Sequence, residues 1–143
     1  METEAQRAAR YAAKDVVDKL GVKPGDAVLF EGTKKDADLV RRIRKKAGRP
    51  PARAGEQLDV VVYWPASANQ VTPTLRRLRA RMVPTGAIWV ITAKRDKERA
   101  GRPYLANDVI GLGLAAALVD NKICSISQTD TAMRFVIRRS ERC

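Results

Sequence analysis

Histidine is absent from this 143-residue chain. Imidazole is the side chain most often used for proton transfer near neutral pH. Its absence removes Ser/His/Asp and Cys/His nucleophile constellations and every His-containing metal site. Cysteine is scarce: Cys124 lies inside an apolar run and Cys143 is the last residue, which makes neither a disulfide framework nor a metal-binding pair. A reducing compartment is expected, with Cys124 a small core residue. Aromatic residues amount to 5% and are not interleaved with the basic runs, which argues against a stacking platform for single-stranded nucleic acid. No apolar run approaches the roughly 20 residues needed to cross a bilayer, and the opening METEAQRAAR lacks the layout of a secretory signal. No membrane contact and a cytoplasmic location are expected.

What is present points to a globular α/β chain. Hydrophobic residues make up 45% and charged residues 31%, and the length suits a single domain. The expected division is an N-terminal helix within 1–20, an α/β core over 21–139 and a tail at 140–143. Lysine and arginine number 28 against 16 acidic residues, a formal net charge of +12. Such a charge favours encounters with nucleic acid, acidic proteins and anionic ligands without choosing among them.

Along the chain, the Ala-rich stretch 4–20 has helical spacing and ends at Gly21. A buried strand is expected at about Ala27 to Phe30, then a helix from Lys35 to Ala47 with Leu39, Val40, Ile43 and Ala47 on its inner face. AGRPPARAGEQ holds a short edge strand or none. LDVVVYW is the clearest strand, and the next helix is expected near Pro73, a residue suited to a first helical turn. GAIWVIT is another strand, followed by a charged loop, an apolar helix over 105–119, and a hairpin joined around Asp130 and Thr131. Strands alternating with helices argue for a three-layer, Rossmann-like, mainly parallel sheet closed by an antiparallel hairpin.

Two stretches carry a more specific resemblance. LDVVVYWPA, a helix, and then MVPTGAIWVITAKR resemble the fourth and fifth strands of the class I, Rossmann-like methyltransferase fold, and the closing hairpin matches the end of that sheet. From about Tyr11 to Arg139 the chain is similar to the bacterial domain-of-unknown-function family 3052, through LGVKPGDAV, LDVVVYW, PTGAIWVITAKR and NDVIGLGLAAALVDNKICSISQTDTAMRFVIRR. That resemblance implies a methyltransferase-like fold and no assigned activity.

The stretch VLFEGTKKDADLV stands where such folds bind their cofactor. Against the methyltransferase pattern of an acidic residue followed by three alternating glycines, Gly32 supplies the first glycine. Lys34 and Asp36 occupy the next two glycine positions, and Phe30 takes the acidic one, with Glu31 one place off. Side chains there would restrict the backbone and fill ligand space. EGTKKD also lacks the Gly-Lys-Ser/Thr of a phosphate-cradling loop. Lys34 and Lys35, just before a helix, could hold an anion at the partly positive helix terminus, or Asp36 or Thr33 could simply cap that helix. Trp64, at the carboxyl end of its strand, could line a pocket, with core or rim packing as the alternative reading. Trp89 is expected in the core.

The leading expectation is a non-catalytic, methyltransferase-like binding or regulatory module with no catalytic residue, resident cofactor or metal. Glu31, Gly32, Lys34, Lys35 and Trp64 form its candidate ligand or anion crevice. One alternative is a divergent S-adenosylmethionine-dependent methyltransferase. The other is nucleic-acid or polyanion binding through Arg41, Arg42, Lys45, Arg76 and Arg77 on basic helix faces. The apolar helix 105–119 leaves room for a homodimer contact.

Overall fold

A computed structural model describes residues 3–6, 15–94 and 105–142. Residues 7–14 of the expected helix 4–20, most of the charged loop after the third strand, and Cys143 therefore lie outside the described residues. The elements are α1 (Val16–Lys19), β1 (Val28–Gly32), α2 (Ala37–Ala47), β2 (Leu58–Trp64), α3 (Ala68–Arg79), β3 (Met82–Ala93), α4 (Ala106–Ala115), β4 (Leu118–Ser125) and β5 (Asp130–Ile137). One five-stranded sheet has the order β1-β2-β3-β5-β4, with β1, β2 and β3 parallel and β5 antiparallel to both neighbours. Only β5 runs against the rest, so the mainly parallel sheet with a C-terminal hairpin is as expected.

The strand alternation divides the core in two. Val28, Val60, Val62 and Trp64 face the layer of α1 and α2, with Leu39, Ile43 and Ala47 above them. Val61, Tyr63 and Ile88 face α3 and α4, meeting Val71, Leu75, Leu78 and Val109. Full burial of a Leu or Ile side chain is worth about 1.5–3 kcal/mol, so these two apolar seams hold the layers together.

Several boundaries differ from those read in the sequence. α3 starts at Ala68, five residues before Pro73, because the buried Val71 extends the apolar face of Leu75 and Leu78 upstream. Pro73 is left inside the helix on its exposed side, where packing outweighs its missing N–H. α4 stops at Ala115, and Leu118 and Val119 open β4 instead. The hairpin turn falls at 126–129, earlier than Asp130 and Thr131, because the Ser127 hydroxyl accepts from the N–H groups of Thr129 and Asp130. The segment expected as a tail is tied back: Arg79 donates to Glu141 at 3.1 Å and Arg142 to the Ile137 carbonyl at 2.9 Å.

The stretch 48–57 forms no strand. It rounds the outer edge of β1, where the Ala52 N–H donates to the Val28 carbonyl at 2.8 Å, before entering β2. The connections β1-α2-β2 and β2-α3-β3 step the same way across the sheet with their helices on opposite faces. They therefore have opposite hands, and one of them departs from the right-handed rule that nearly all such crossovers obey.

Candidate functional site

The carboxyl ends of β1 and β2 lie side by side, with Gly32 opposite Trp64 in a parallel register. A β-carbon on Gly32 would overlap the Trp64 carbonyl, and its φ of +106° is one that glycine adopts readily. Gly32 is thus required by the close approach of two backbones. The Thr33 N–H donates to the same Trp64 carbonyl at 3.2 Å, continuing the strand contact into the loop.

Lys34 follows with φ +53°, in the left-handed region that costs an L-residue roughly 1–2 kcal/mol. Positive-φ backbone at 32 and 34 therefore survives at two of the three positions where the methyltransferase pattern has glycine, although only one is a glycine. The third, Asp36, does something else: its carboxylate accepts from the Leu39 N–H at 3.1 Å and caps α2, one of the two capping roles expected for this loop. The capped α2 begins at Ala37, two residues later than expected.

Trp64 is not a wall of an open crevice. It is 1% exposed, packed beneath α2 with the Phe30 ring 6.5 Å away. Among the described residues its fully buried indole N–H finds no acceptor. Leaving a buried donor unpaired costs about 1–3 kcal/mol. Trp89, by contrast, is core as expected and donates to the Leu20 carbonyl at 3.0 Å.

The five candidate crevice residues divide among three places. Gly32 and Trp64 are registered partners, with Lys34 in the turn beyond them. Lys35 lines a groove along α2. Glu31 turns to the opposite face of the sheet, where it accepts from Arg77 at 2.6 Å. That pair sits over Tyr63, whose phenol is pushed above its ordinary value chiefly by burial, with the Glu31 carboxylate adding to the effect and the Thr74 hydroxyl opposing it.

The basic candidates are also separated, since α2 and α3 cover opposite faces. Arg76 donates at 3.0 Å to the carbonyl of Ala115, the last residue of α4, and Arg79 at 3.1 Å to that of Ala117 in the turn before β4. On α2, Arg41 pairs with Asp38 at 2.6 Å and Arg42 with Asp15 at 2.7 Å. The Asp15 carboxyl lies below its usual range, first through the Val17 N–H and then through Arg42. Lys45 lines the α2 groove together with Arg44, which belongs to the same basic run. What the sequence did not disclose is the conformation of Lys34, because residue type alone argues against positive φ there.

The fold is shared with S-adenosylmethionine-dependent methyltransferases. The chain resembles such an enzyme from Aquifex aeolicus with a TM-score of 0.67 and 12% identity, over 96% of this chain and 100% of the other. It resembles a TehB-like methyltransferase from Corynebacterium glutamicum with a TM-score of 0.53 and 11% identity, over 94% and 95% of the two chains. A methyltransferase from Pyrococcus furiosus aligns with a TM-score of 0.53 and 12% identity, over 91% and 82%. No protein-family model and no curated protein sequence matches the chain. At these identities the likeness concerns the fold.

Proposed function

We propose that this protein is a divergent methyltransferase-fold domain that binds S-adenosylmethionine, or a ligand sharing its amino-acid end, at the loop joining β1 to α2. One observation carries the proposal: Lys34 holds a glycine-type backbone conformation at the glycine position of the cofactor loop. Strain of this kind persists where the surroundings enforce it and gathers at ligand sites. The buried, unpaired indole N–H of Trp64, next to that loop, is a second irregularity at the same end of the sheet. The residues fit the zwitterionic amino-acid end of the cofactor: Lys34 and the N-terminus of α2 would face its carboxylate, while Gly32 keeps the loop close to β2. The bound cofactor would supply an activated methyl group on a sulfonium. The chain's part is to hold and orient it.

A second reading is a non-catalytic module, favoured by the position of β1 at the sheet edge. In the doubly wound order 3-2-1-4-5-6 the ligand crevice lies where strand order reverses beside the first strand, and here no strand lies beyond β1 among the described residues. Calorimetric titration separates the two. Under the proposal S-adenosylmethionine gives a saturable one-site isotherm with Kd at or below about 100 µM, about −5.5 kcal/mol. No heat up to millimolar ligand would leave the non-catalytic reading.

A further inference from the structure

We propose that the outer edge of β1, with the groove on the adjoining flank of α2, is a docking site for an extended acidic peptide of a partner protein. It uses the side of β1 that faces away from β2 and shares with the proposed cofactor loop only Lys35, which lines the groove.

In a parallel pair, alternate residues of a strand turn both backbone groups toward the neighbour. The Ala27 carbonyl and the Thr33 N–H bond to β2 residues, so the odd-numbered positions 29 and 31 face β2 as well. The even-numbered Val28 and Phe30 turn outward. Ala52 occupies the Val28 carbonyl, and among the described residues nothing bonds to the outward N–H and C=O of Phe30. A short edge with unpaired backbone groups is a template for an added strand.

Beside this edge runs a groove of about 700 Å³ lined by Lys35, Arg41, Arg44, Lys45, Arg49 and Pro50. Its position follows from its neighbours. The other flank of α2 is taken by α1, through Arg42 with Asp15 and Lys46 with Asp18. The chain leaving α1 continues to Leu20 over Trp89 in the middle of the sheet, so the free flank faces the β1 edge. Arg41 and Arg49 have carboxylate partners in Asp38 and Glu56. Lys35, Arg44 and Lys45 have none among the described residues, and three uncompensated cations along the groove select an acidic ligand. The open backbone groups of Phe30 select a polypeptide over a nucleic acid, as does the scarcity of aromatics.

The probe is a fluorescein-labelled peptide of about eight residues alternating Glu and Val, long enough to form one strand. Fluorescence polarisation against the full chain should show saturable binding that weakens as salt is raised. The exposed double reversal Arg44→Glu with Lys45→Glu should weaken it by at least about tenfold while circular dichroism stays unchanged. Placing proline at alternate positions of an equally charged peptide, which removes the pairing N–H groups, should cost at least about tenfold too. Equal binding of the proline peptide would overturn edge pairing. Absence of peptide binding, with duplex DNA retained by the same groove, would overturn the assignment in favour of nucleic acid. Unchanged binding by the double reversal would remove the groove from the site.

Discussion

The two ends of the sheet are built differently. At the hairpin end β5 is bonded on both sides, and Phe135 is fully buried where Gly113 of α4 lets the helix come close. Toward the middle of the sheet, the Trp89 N–H is satisfied by Leu20. Both ends close on an edge strand with one neighbour, β4 and β1, and each holds a non-glycine residue in left-handed backbone, Ala117 before β4 and Lys34 after β1; at the β1 end the N–H of the other tryptophan also lacks a partner among the described residues. The reversed crossover hand belongs to this end as well, or to its immediate neighbour. The difference lies in the tryptophans: the N–H of Trp89 is paired in the middle of the sheet, whereas that of Trp64, beside the loop leaving β1, has no acceptor among the described residues.

Substitutions at two of the close-approach glycines, Gly32 and Gly113, test this contrast most strongly. Gly32→Ala combines an unfavourable φ with overlap of the Trp64 backbone, which cannot move without breaking β1 from β2; we expect a loss of about 3 kcal/mol or more in urea denaturation. Gly113→Ala meets a side chain, the Phe135 ring, and should cost about 1–3 kcal/mol. A larger loss at Gly113 would break the comparison.

The tryptophans come next. Trp89→Phe strands the Leu20 carbonyl, while Trp64→Phe removes a donor that has no acceptor. Trp89→Phe should be the more destabilising by about 1–2 kcal/mol, measured the same way. Equal losses would mean that the Trp64 N–H is satisfied in solution. At Lys34, replacement by glycine relieves the left-handed backbone and should raise stability by about 0.5–1 kcal/mol. A loss instead would show the lysine side chain holding the turn.

The smallest effect is electrostatic. The Arg49 guanidinium, and after it the Arg53 N–H, hold the Glu56 carboxyl below its ordinary range. A depressed carboxylate contributes stability above its unfolded value and loses it as pH falls through the lower folded value. The difference between the parent chain and Glu56→Gln should therefore be constant near neutrality and shrink once pH drops below the ordinary glutamate value of 4.5. A difference that grows on acidification would contradict the pairing.

The sequence disclosed the fold through periodicity. LDVVVYW and GAIWVIT are too apolar and β-branched to be anything but central strands, and Leu39, Ile43 and Ala47 mark one face of α2. It located α3 less well, because Pro73 signals a start that the buried Val71 overrides. The site was legible in position and not in shape. Gly32 could be picked out, but the backbone at Lys34 is set by the β1–β2 contact and the Asp36 cap together. The separation of Arg77 from Lys45 was likewise invisible, since spacing along a helix does not say which side of the sheet that helix covers.

The central claim is that the loop between β1 and α2 remains a ligand-binding loop. Amide NMR of the isotopically labelled chain, titrated with S-adenosylhomocysteine, tests it most directly. Saturable shifts confined to Gly32, Thr33, Lys34, Lys35 and the Trp64 indole are the expected result. An unchanged spectrum at millimolar ligand, or shifts gathered at the β4–β5 hairpin instead, would contradict it.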